Sequence, residues 1–339
     1  MHVPRPLGLA LLALALPQAR VVSADLLIVL NKSDHEAVLV DPATLKPVAR
    51  LATGRGPHEV AVSPDGKLAY VSNYGMYNVF REGQRVNEPG HTISVLDLEH
   101  RTVKDTFDLG GYAKPHGLAV SKDGKALWVT CEDSRAVLEL DAATGAVRHA
   151  WKTDQETSHM IVPAIDEGKL FVANIRAGTA TIIDRSSGKV TSLTTAAGTE
   201  GIDVTPDGRE VWFTNRADSS ISVLDARHDS LAVKLENVGR FPIRVKFTPD
   251  GREAWISCLE GNEVAVYDAH TRQPLARIAV GAAPVGIQMT PDGRRAFVAN
   301  TNDNLVTVID VPGRKVTGTF TTGNEPDGMA WAAKHPARP

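Results

Sequence analysis

A repeat of roughly forty-two residues runs along almost the whole chain, and it limits the fold more than any other feature. In every unit an apolar strand ends in Asn or Cys. The residues at this position are Asn31, Asn73, Cys131, Asn174, Asn215, Cys258 and Asn300. Ten residues later an Asp closes another apolar strand, except in the second unit, where 24 residues separate Asn73 from Asp97. The regular spacing predicts seven similar units and no separate domain.

Each unit reads as four short strands, with a Pro-Asp-Gly-like turn after the first. Strict alternation of apolar and polar residues, as in "EVAVS", "TISVLD" and "LVTVID", is typical of half-buried strands. Four short strands at this period are the signature of propeller blades. The sequence therefore predicts an all-β fold, a seven-bladed β-propeller. The segment "NEPDGMAWA" supplies the first strand that "DLLIVLN" lacks, so we expect residues 325–333 to join the N-terminal strands in one blade and close the ring.

The strings "AYVSN", "LFVAN" and "FVANTND", each after a "PDG"-like turn, resemble the YVTN-repeat, YncE-like seven-bladed propellers of bacterial periplasms. The resemblance covers essentially all of residues 25–335. Relatives by fold include lactonase-type propellers and the cytochrome d1 haem domain of nitrite reductases. The resemblance implies architecture and leaves the activity open, because propellers carry many unrelated functions.

The first 24 residues read as a secretory signal peptide. Arg5 precedes an apolar run at 7–16, and Val22-Ser23-Ala24 offers small residues at the cleavage positions. We expect cleavage after Ala24, a periplasmic or secreted mature chain with the propeller at 25–335, and a tail at 336–339. The apolar run is about half the length of a membrane-spanning helix, and no other segment is long and apolar enough to span a membrane.

Charge and cysteine usage exclude several classes of protein. Removing Arg5 and Arg20 from the 37 basic residues leaves 35 against 40 acidic residues, a net charge of −5. We therefore expect no nucleic-acid partner, because the basic surface that such proteins present is missing. We also expect a monomer. Cys131 and Cys258 lie three blades apart, far beyond the ~7 Å that a disulfide can bridge, so both are predicted to be free thiols.

One residue per blade, seven positions before the turn aspartate, is predicted to line one mouth of the central channel. The innermost strand of each blade begins there. Around the ring these residues are Asp327, His58, His116, His159, Glu200, Ile243 and Val285. Five consecutive blades thus carry ionisable side chains and two carry aliphatic ones. Arg244, next to Ile243, adds a cation.

The loops between the second and third strands open on the same face, since alternate connections of a blade share a side. These loops carry Tyr74, Arg176, Arg216 and Glu260. The one long insertion, residues 76–91, also lies in such a loop. It brings Tyr77, Phe80, Arg81, Arg85 and His91 to the rim. Long loops on a rigid scaffold are where binding function concentrates.

Three functions fit this mouth, and the sequence leaves all three open. The first is binding of a small molecule or a periplasmic protein, through His58, His116, His159, Glu200, Arg244, Asp327, Arg176, Arg216 and Tyr74. The second is a metal centre for zinc, copper or iron, held by His58, His116, His159 and Glu200. The third is an enzyme. Lactonase-like and lyase-type propellers place such residues at this mouth, which implies His58 as base, Glu200 as acid and Arg244 on a carboxylate or enolate.

Overall fold

Short strands joined by turns make up nearly all of the computed structural model, which describes residues 25–77 and 87–333. They form seven four-stranded antiparallel sheets. The innermost strands of successive sheets contact one another in a closed ring. The predicted seven-bladed β-propeller is confirmed.

Every blade uses its strands in the same order from the channel outwards. The innermost strands are β4 (Pro57–Val62), β8 (Pro115–Val120), β12 (Ser158–Pro163), β16 (Thr199–Val204), β20 (Pro242–Phe247), β24 (Pro284–Met289) and β28 (Pro326–Ala332). The second strands are β1 (Leu26–Asn31), β5 (Leu68–Tyr77), β9 (Ala126–Cys131), β13 (Lys169–Asn174), β17 (Glu210–Asn215), β21 (Glu253–Cys258) and β25 (Arg295–Asn300).

The outer half of each blade follows the same scheme. The third strands are β2 (Glu36–Asp41), β6 (Asn87–Asp97), β10 (Ala136–Asp141), β14 (Thr179–Asp184), β18 (Ser220–Asp225), β22 (Glu263–Asp268) and β26 (Leu305–Asp310). The fourth strands are β3 (Lys46–Ala52), β7 (Thr102–Asp108), β11 (Val147–Lys152), β15 (Val190–Thr194), β19 (Ser230–Leu235), β23 (Pro274–Ala279) and β27 (Lys315–Phe320). Two 3-10 turns, Leu259–Gly261 and Thr301–Asp303, follow β21 and β25.

The two ends of the chain share one blade, which we number blade 1. Strand β28 pairs antiparallel with β1, and Val29 faces Met329. Strands β2 and β3 complete this blade, and blades 2 to 7 follow in chain order. The predicted closure of the ring is confirmed.

A repeated aromatic position of the second strand fills the space between neighbouring blades. The residues there are Tyr70, Trp128, Phe171, Trp212, Trp255 and Phe297, none more than 2% exposed. Trp212 of blade 5, for example, packs with Val245 and Ala254 of blade 6. Burial of such large side chains contributes about 2–3 kcal/mol each, and this explains why the aromatic residues recur.

The repeated Asn position holds the second strand to the third. The buried Nδ2 of Asn174 donates to Thr181 Oγ1 at 2.9 Å, and that of Asn215 donates to Ser222 Oγ at 3.0 Å. Cys131 and Cys258 occupy the same position in their blades, where they are buried and unbridged. The prediction of two free thiols is confirmed.

The insertion in blade 2 is partly a continuation of the sheet. The pairing of β5 with β6 runs out to Tyr77 opposite Asn87. Gly75 (φ 100°) and Gly90 lie at its base, where a Cβ on Gly90 would be 2.8 Å from the Gly75 nitrogen. Phe80, Arg81 and Arg85 lie outside the described residues.

Among the residues that the structure describes, no helix combines the length and the apolar character needed to cross a membrane.

Candidate functional site

The seven predicted mouth residues occupy one position in the fold. Each is the second residue of an innermost strand, and five of those strands begin with proline. Proline suits this first position because its missing N–H removes a donor where the ladder starts. The register along the chain therefore predicts the placement of the ring.

The rings of three histidines of consecutive blades lie side by side around this mouth, and we call them the histidine stack, although only one pair is stacked and the other is tilted by 58°. The His116 ring lies 3.6 Å from the His159 ring, centroid to centroid, with an angle of 30° between the planes. His58 follows at 5.1 Å from His116. The Tyr74 ring packs 4.6 Å from His58 and meets His116 edge-on at 5.5 Å. Four aromatic rings thus line this side of the mouth.

Two carboxylates hold His159 at the end of the stack. Its Nδ1 forms an ion pair with Glu132, and its Nε2 lies 3.4 Å from Glu200 Oε1. The hydroxyl of Tyr74 donates to the other oxygen of Glu132 at 2.5 Å. Arg216 Nη1 lies 2.6 Å from Glu200 Oε2. His159 is therefore fixed in orientation on both sides.

These contacts make His159 the charged member of the stack. Burial lowers its pKa, but the charge and hydrogen bonds of Glu132 and Glu200 outweigh burial and raise the pKa to about 9. Burial raises the pKa of Glu200. The hydrogen bond and the charge of His159, together with the charge of Arg216, lower it by more, so the pKa of Glu200 is below its ordinary value. The group is an imidazolium between two carboxylates at neutral pH.

The other two histidines are neutral. Burial, with the charge of Lys32, lowers the pKa of His58 to about 4. Burial, with the charge of His159, holds the pKa of His116 well below its usual value. Nδ1 of His116 is buried without a hydrogen-bond partner among the described residues. Uncharged imidazoles present apolar ring faces as well as a nitrogen acceptor.

The next residue of each innermost strand closes the channel below the ring. Arg244 Nη2 of blade 6 lies 2.6 Å from Glu59 Oε1 of blade 2, and Nη1 lies 3.0 Å from Met160 Sδ of blade 4. These blades are not neighbours, so the contacts span the channel. The other residues of this row are Gly117, Gly201, Gly286 and Gly328. These contacts cross the channel below the mouth, which we therefore describe as blind.

The arc opposite the histidines is apolar. Val285 is 6% exposed and belongs to the core cluster against which Ile243 and Leu259 pack. The Arg216 guanidinium lies 5.1 Å from the Phe241 ring and borders this arc. On the other border Lys32 Nζ forms an ion pair with Asp327 Oδ2 at 2.9 Å. The site thus combines five ionisable ring positions with a shorter aliphatic arc.

One group of side chains in the mouth has the donors of a metal site. Ligand atoms of His116, Glu132 and His159 all lie within 4.8 Å of one another. This group shares two members with the four residues that the sequence suggested. Glu132 enters it, while Glu200 is engaged by His159 and Arg216.

Known families and solved structures resemble this chain. The sequence profile of the virginiamycin B lyase family matches residues 104–330. The chain belongs to this family. No curated protein matches the chain.

Several solved structures have the same propeller fold as this chain. Hydrazine synthase from Kuenenia stuttgartiensis aligns with a TM-score of 0.72 and 20% identity over 84% of this chain and 91% of that chain. The dihydro-heme d1 dehydrogenase NirN, in complex with DHE, has a TM-score of 0.67 and 18% identity over 93% and 77%. A functionally unknown protein from Desulfotomaculum acetoxidans has a TM-score of 0.74 and 12% identity over 92% and 100%. At these identities the likeness shows the fold.

The structure adds residues to the predicted set and sets others apart. Lys32, Glu132 and Glu59 were not singled out from the sequence. Lys32 and Glu132 directly follow the repeated Asn/Cys position, as Tyr74 and Arg216 do, so extending that register would have found them. Arg176 is the second residue after the repeated Asn174, not the first, and it is exposed.

Two other predicted rim residues also lie away from the stack. Glu260 faces Arg240 at 3.5 Å on the surface. His91 is exposed at the end of the extended part of β6, next to Thr92, which pairs with Asn73.

Proposed function

We propose that this protein binds a small molecule in the blind mouth of its propeller, outside the cytoplasm. The observation that carries the proposal is the convergence of the histidine stack and the aliphatic arc above the Glu59–Arg244 ion pair. Small-molecule sites are concave and largely apolar, with a few placed polar groups. The mouth has the placed polar groups and one apolar arc, formed by Ile243, Val285 and Leu259.

The charges of the mouth favour a ligand without a large net charge. Each cation there already has an acidic partner: Lys32 has Asp327, Arg216 has Glu200, and Arg244 has Glu59. A strongly charged ligand would have to compete with these pairs. The neutral rings of His58 and His116 and the aliphatic side chains would instead contact an uncharged ligand.

Binding is better supported than the hydrolase or lyase chemistry that the resemblance suggested. A general acid needs a raised pKa, whereas the pKa of Glu200 is lowered by His159 and Arg216 despite its burial. Arg244 is paired with Glu59 and does not face the mouth as an unpaired cation. The family is named after a lyase, and the similar NirN structure is a complex with DHE; both support a small-molecule ligand.

The test is native mass spectrometry of the protein exported with its own residues 1–24 and exposed to a small-molecule extract of the host cells. We expect a retained mass on the wild type that His58→Ala and Tyr74→Ala remove. His270→Ala is the matched control, because His270 is exposed in a turn between third and fourth strands, on the opposite face. Equal retention by all four proteins, or none by the wild type, would overturn the proposal.

A second candidate function is a metal centre at His116, Glu132 and His159. The three ligand atoms within 4.8 Å favour it, and two imidazoles with a carboxylate suit zinc, copper or iron. The unpartnered Nδ1 of His116 fits this reading. A bound metal would act as a Lewis acid or redox centre, and it would replace the contact between His159 and Glu132.

Metal analysis of the exported protein tests this candidate. One metal ion per chain is expected, lost in His116→Ala and Glu132→Ala and kept in His270→Ala. Less than a tenth of that amount in wild type dialysed against each metal would exclude the centre and leave the binding proposal intact.

A further inference from the structure

The hydrogen bonds of His58 determine which of its ring nitrogens carries the proton. Nδ1 lies 2.9 Å from the carbonyl oxygen of Gly56, which also accepts from the main-chain N–H of Tyr74 at 3.0 Å. A carbonyl oxygen can only accept, so Nδ1 carries the hydrogen and donates it. Burial and the charge of Lys32 lower the pKa of His58 to about 4, so the ring holds a single proton at neutral pH. Nε2 is therefore an unprotonated acceptor, and the main chain of the blade fixes it in this state.

Nε2 of His58 is accessible from the mouth. It has no hydrogen-bond partner among the described residues and is not one of the buried unpartnered atoms. His58 is partly exposed, whereas His116 is only 3% exposed. Both nitrogens of His159 face carboxylates, so this histidine offers no free nitrogen. A ligand that enters the mouth thus meets a fixed acceptor at His58.

The charges around His58 indicate what kind of group satisfies this acceptor. An unprotonated imidazole nitrogen takes either a hydrogen-bond donor or a metal ion. Besides burial, the charge of Lys32 lowers the pKa of His58 and outweighs the opposite effect of Asp327, and the charge of His159 lowers the pKa further. A metal ion at Nε2 would meet the same repulsion as the proton. An uncharged O–H or N–H group would not.

The aliphatic arc indicates what the donor is attached to. Val285, Ile243 and Leu259 lie across the mouth from the histidines and present apolar surface. An apolar part of a ligand can cover this arc without losing hydrogen bonds to water. Given the binding function proposed above, on which this step rests, we propose that the ligand is an uncharged molecule with an apolar body and a hydroxyl or N–H group that donates to Nε2 of His58.

Phenol and anisole are the probes, because they share one ring and only phenol has a donor. Nitrogen-15 NMR of the histidines follows their binding. The free protein should show His58 with a protonated Nδ1 and an unprotonated Nε2. We expect phenol to move the Nε2 signal and to bind about tenfold more tightly than anisole, a difference that one hydrogen bond can supply.

Two variants assign this preference to one atom. His58→Phe keeps an aromatic ring at the position but has no nitrogen, so it should bind the two probes equally. His270→Phe makes the same change at an exposed turn on the opposite face and should keep the preference for phenol.

The results that would overturn the donor assignment are distinct from those that would overturn binding. A proton on Nε2 of His58 in the free protein, equal affinities of the wild type for phenol and anisole, or a preference that persists in His58→Phe would each remove the assignment and leave binding in the mouth intact. Failure of both probes at millimolar concentration to move any signal of the mouth histidines would count against the binding function and against the assignment with it.

Discussion

At the scale of single residues, the mouth shows how one side chain takes two protonation states in equivalent positions. His58, His116 and His159 all stand second in their innermost strands. Burial disfavours the charged form of each. Only His159 has carboxylates on both ring nitrogens, and only its pKa is raised. The charge of each histidine therefore depends on the side chains around it and not on its position in the strand.

The first prediction concerns the titration of these histidines. Histidine NMR should show His159 protonated at neutral pH and titrating near 9, and His58 titrating near 4. Glu132→Gln removes the charge that raises the pKa of His159, so its titration should move to lower pH. A His159 that titrates at its ordinary value in the wild type would contradict the described contacts.

The first prediction extends to folding stability, which should follow from the same pKa shifts. Between about pH 4 and 6.5 the unfolded chain binds the His58 proton and the folded chain does not, so stability rises with pH. Between about pH 6.5 and 9 the folded chain keeps the His159 proton that the unfolded chain releases, so stability falls. These two groups predict a maximum near pH 6.5 in urea unfolding. The alkaline fall should shrink in Glu132→Gln, while an unchanged alkaline limb would count against the His159–Glu132 pair.

The ion pair across the channel gives a second residue-scale prediction. Arg244 and Glu59 are both 12% exposed, so Arg244→Ala strands a buried carboxylate. We expect a loss of about 3–5 kcal/mol in the free energy of unfolding. The double variant Glu59→Gln/Arg244→Met leaves no unpaired charge and should lose less. A cost for Arg244→Ala below ~0.5 kcal/mol, the range of ordinary surface changes, would show that the pair does not bridge the blades.

At the scale of elements, glycines let the innermost strands approach one another around the channel. A Cβ on Gly201 would lie 2.5 Å from the carbonyl oxygen of Ile243 on the next strand. Gly117 stands in the same relation to His159, at 2.6 Å. Larger residues at Gly117 and Gly201 would push the strands apart, so these glycines set how closely neighbouring strands approach under the mouth.

The third prediction tests this close approach. Gly201→Ala should destabilise the protein by about 1–3 kcal/mol, the usual cost of overpacking. Gly318→Ala in β27 is the control, because nothing lies within 4 Å of its added Cβ. It should be neutral or stabilising by up to ~1 kcal/mol, since glycine in a strand interior is unfavourable. Thermal unfolding measures both, and equal effects of the two changes would contradict the tight contact.

The elements that the sequence predicts are those fixed by local patterns. Alternation, the repeated Asn and Asp positions and the Pro-Asp-Gly turns determine the strands and the ring position of His58. The roles of Glu132 and Glu59 were not predicted from the sequence, because these roles depend on side chains from other blades, Tyr74 and Arg244. The extension of β5 and β6 was not predicted, because residues 76–91 lack the alternation of apolar and polar residues that marks the other strands.

At the scale of the whole molecule, the fold depends on β28, the last strand that the structure describes and the innermost strand of the first blade. It covers the edge of β1, and Met329 packs with Leu27 and Val29 in a core cluster that also includes residues of blade 7. Blades 7 and 2 both contact this strand. Without it the innermost ring is open at one blade, and the contacts of this strand with both neighbouring blades are lost.

The fourth prediction is that a chain ending at residue 325 does not fold cooperatively. The loss should exceed the ~5–15 kcal/mol by which native proteins are stable. Circular dichroism during heating should show no transition at the wild-type temperature. A synthetic peptide of residues 325–333 should restore the transition when it is added in excess. A truncated chain that melts like the wild type would disprove closure by β28.

The most direct test of ligand binding in the mouth is histidine NMR of the folded protein before and after exposure to a small-molecule extract of its host. We expect the resonances of His58 and His116 to move, because their rings line the mouth, while the exposed His100 and His270 stay in place. Unchanged signals from both mouth histidines, or shifts confined to the exposed histidines, would contradict a ligand site at the mouth of this propeller.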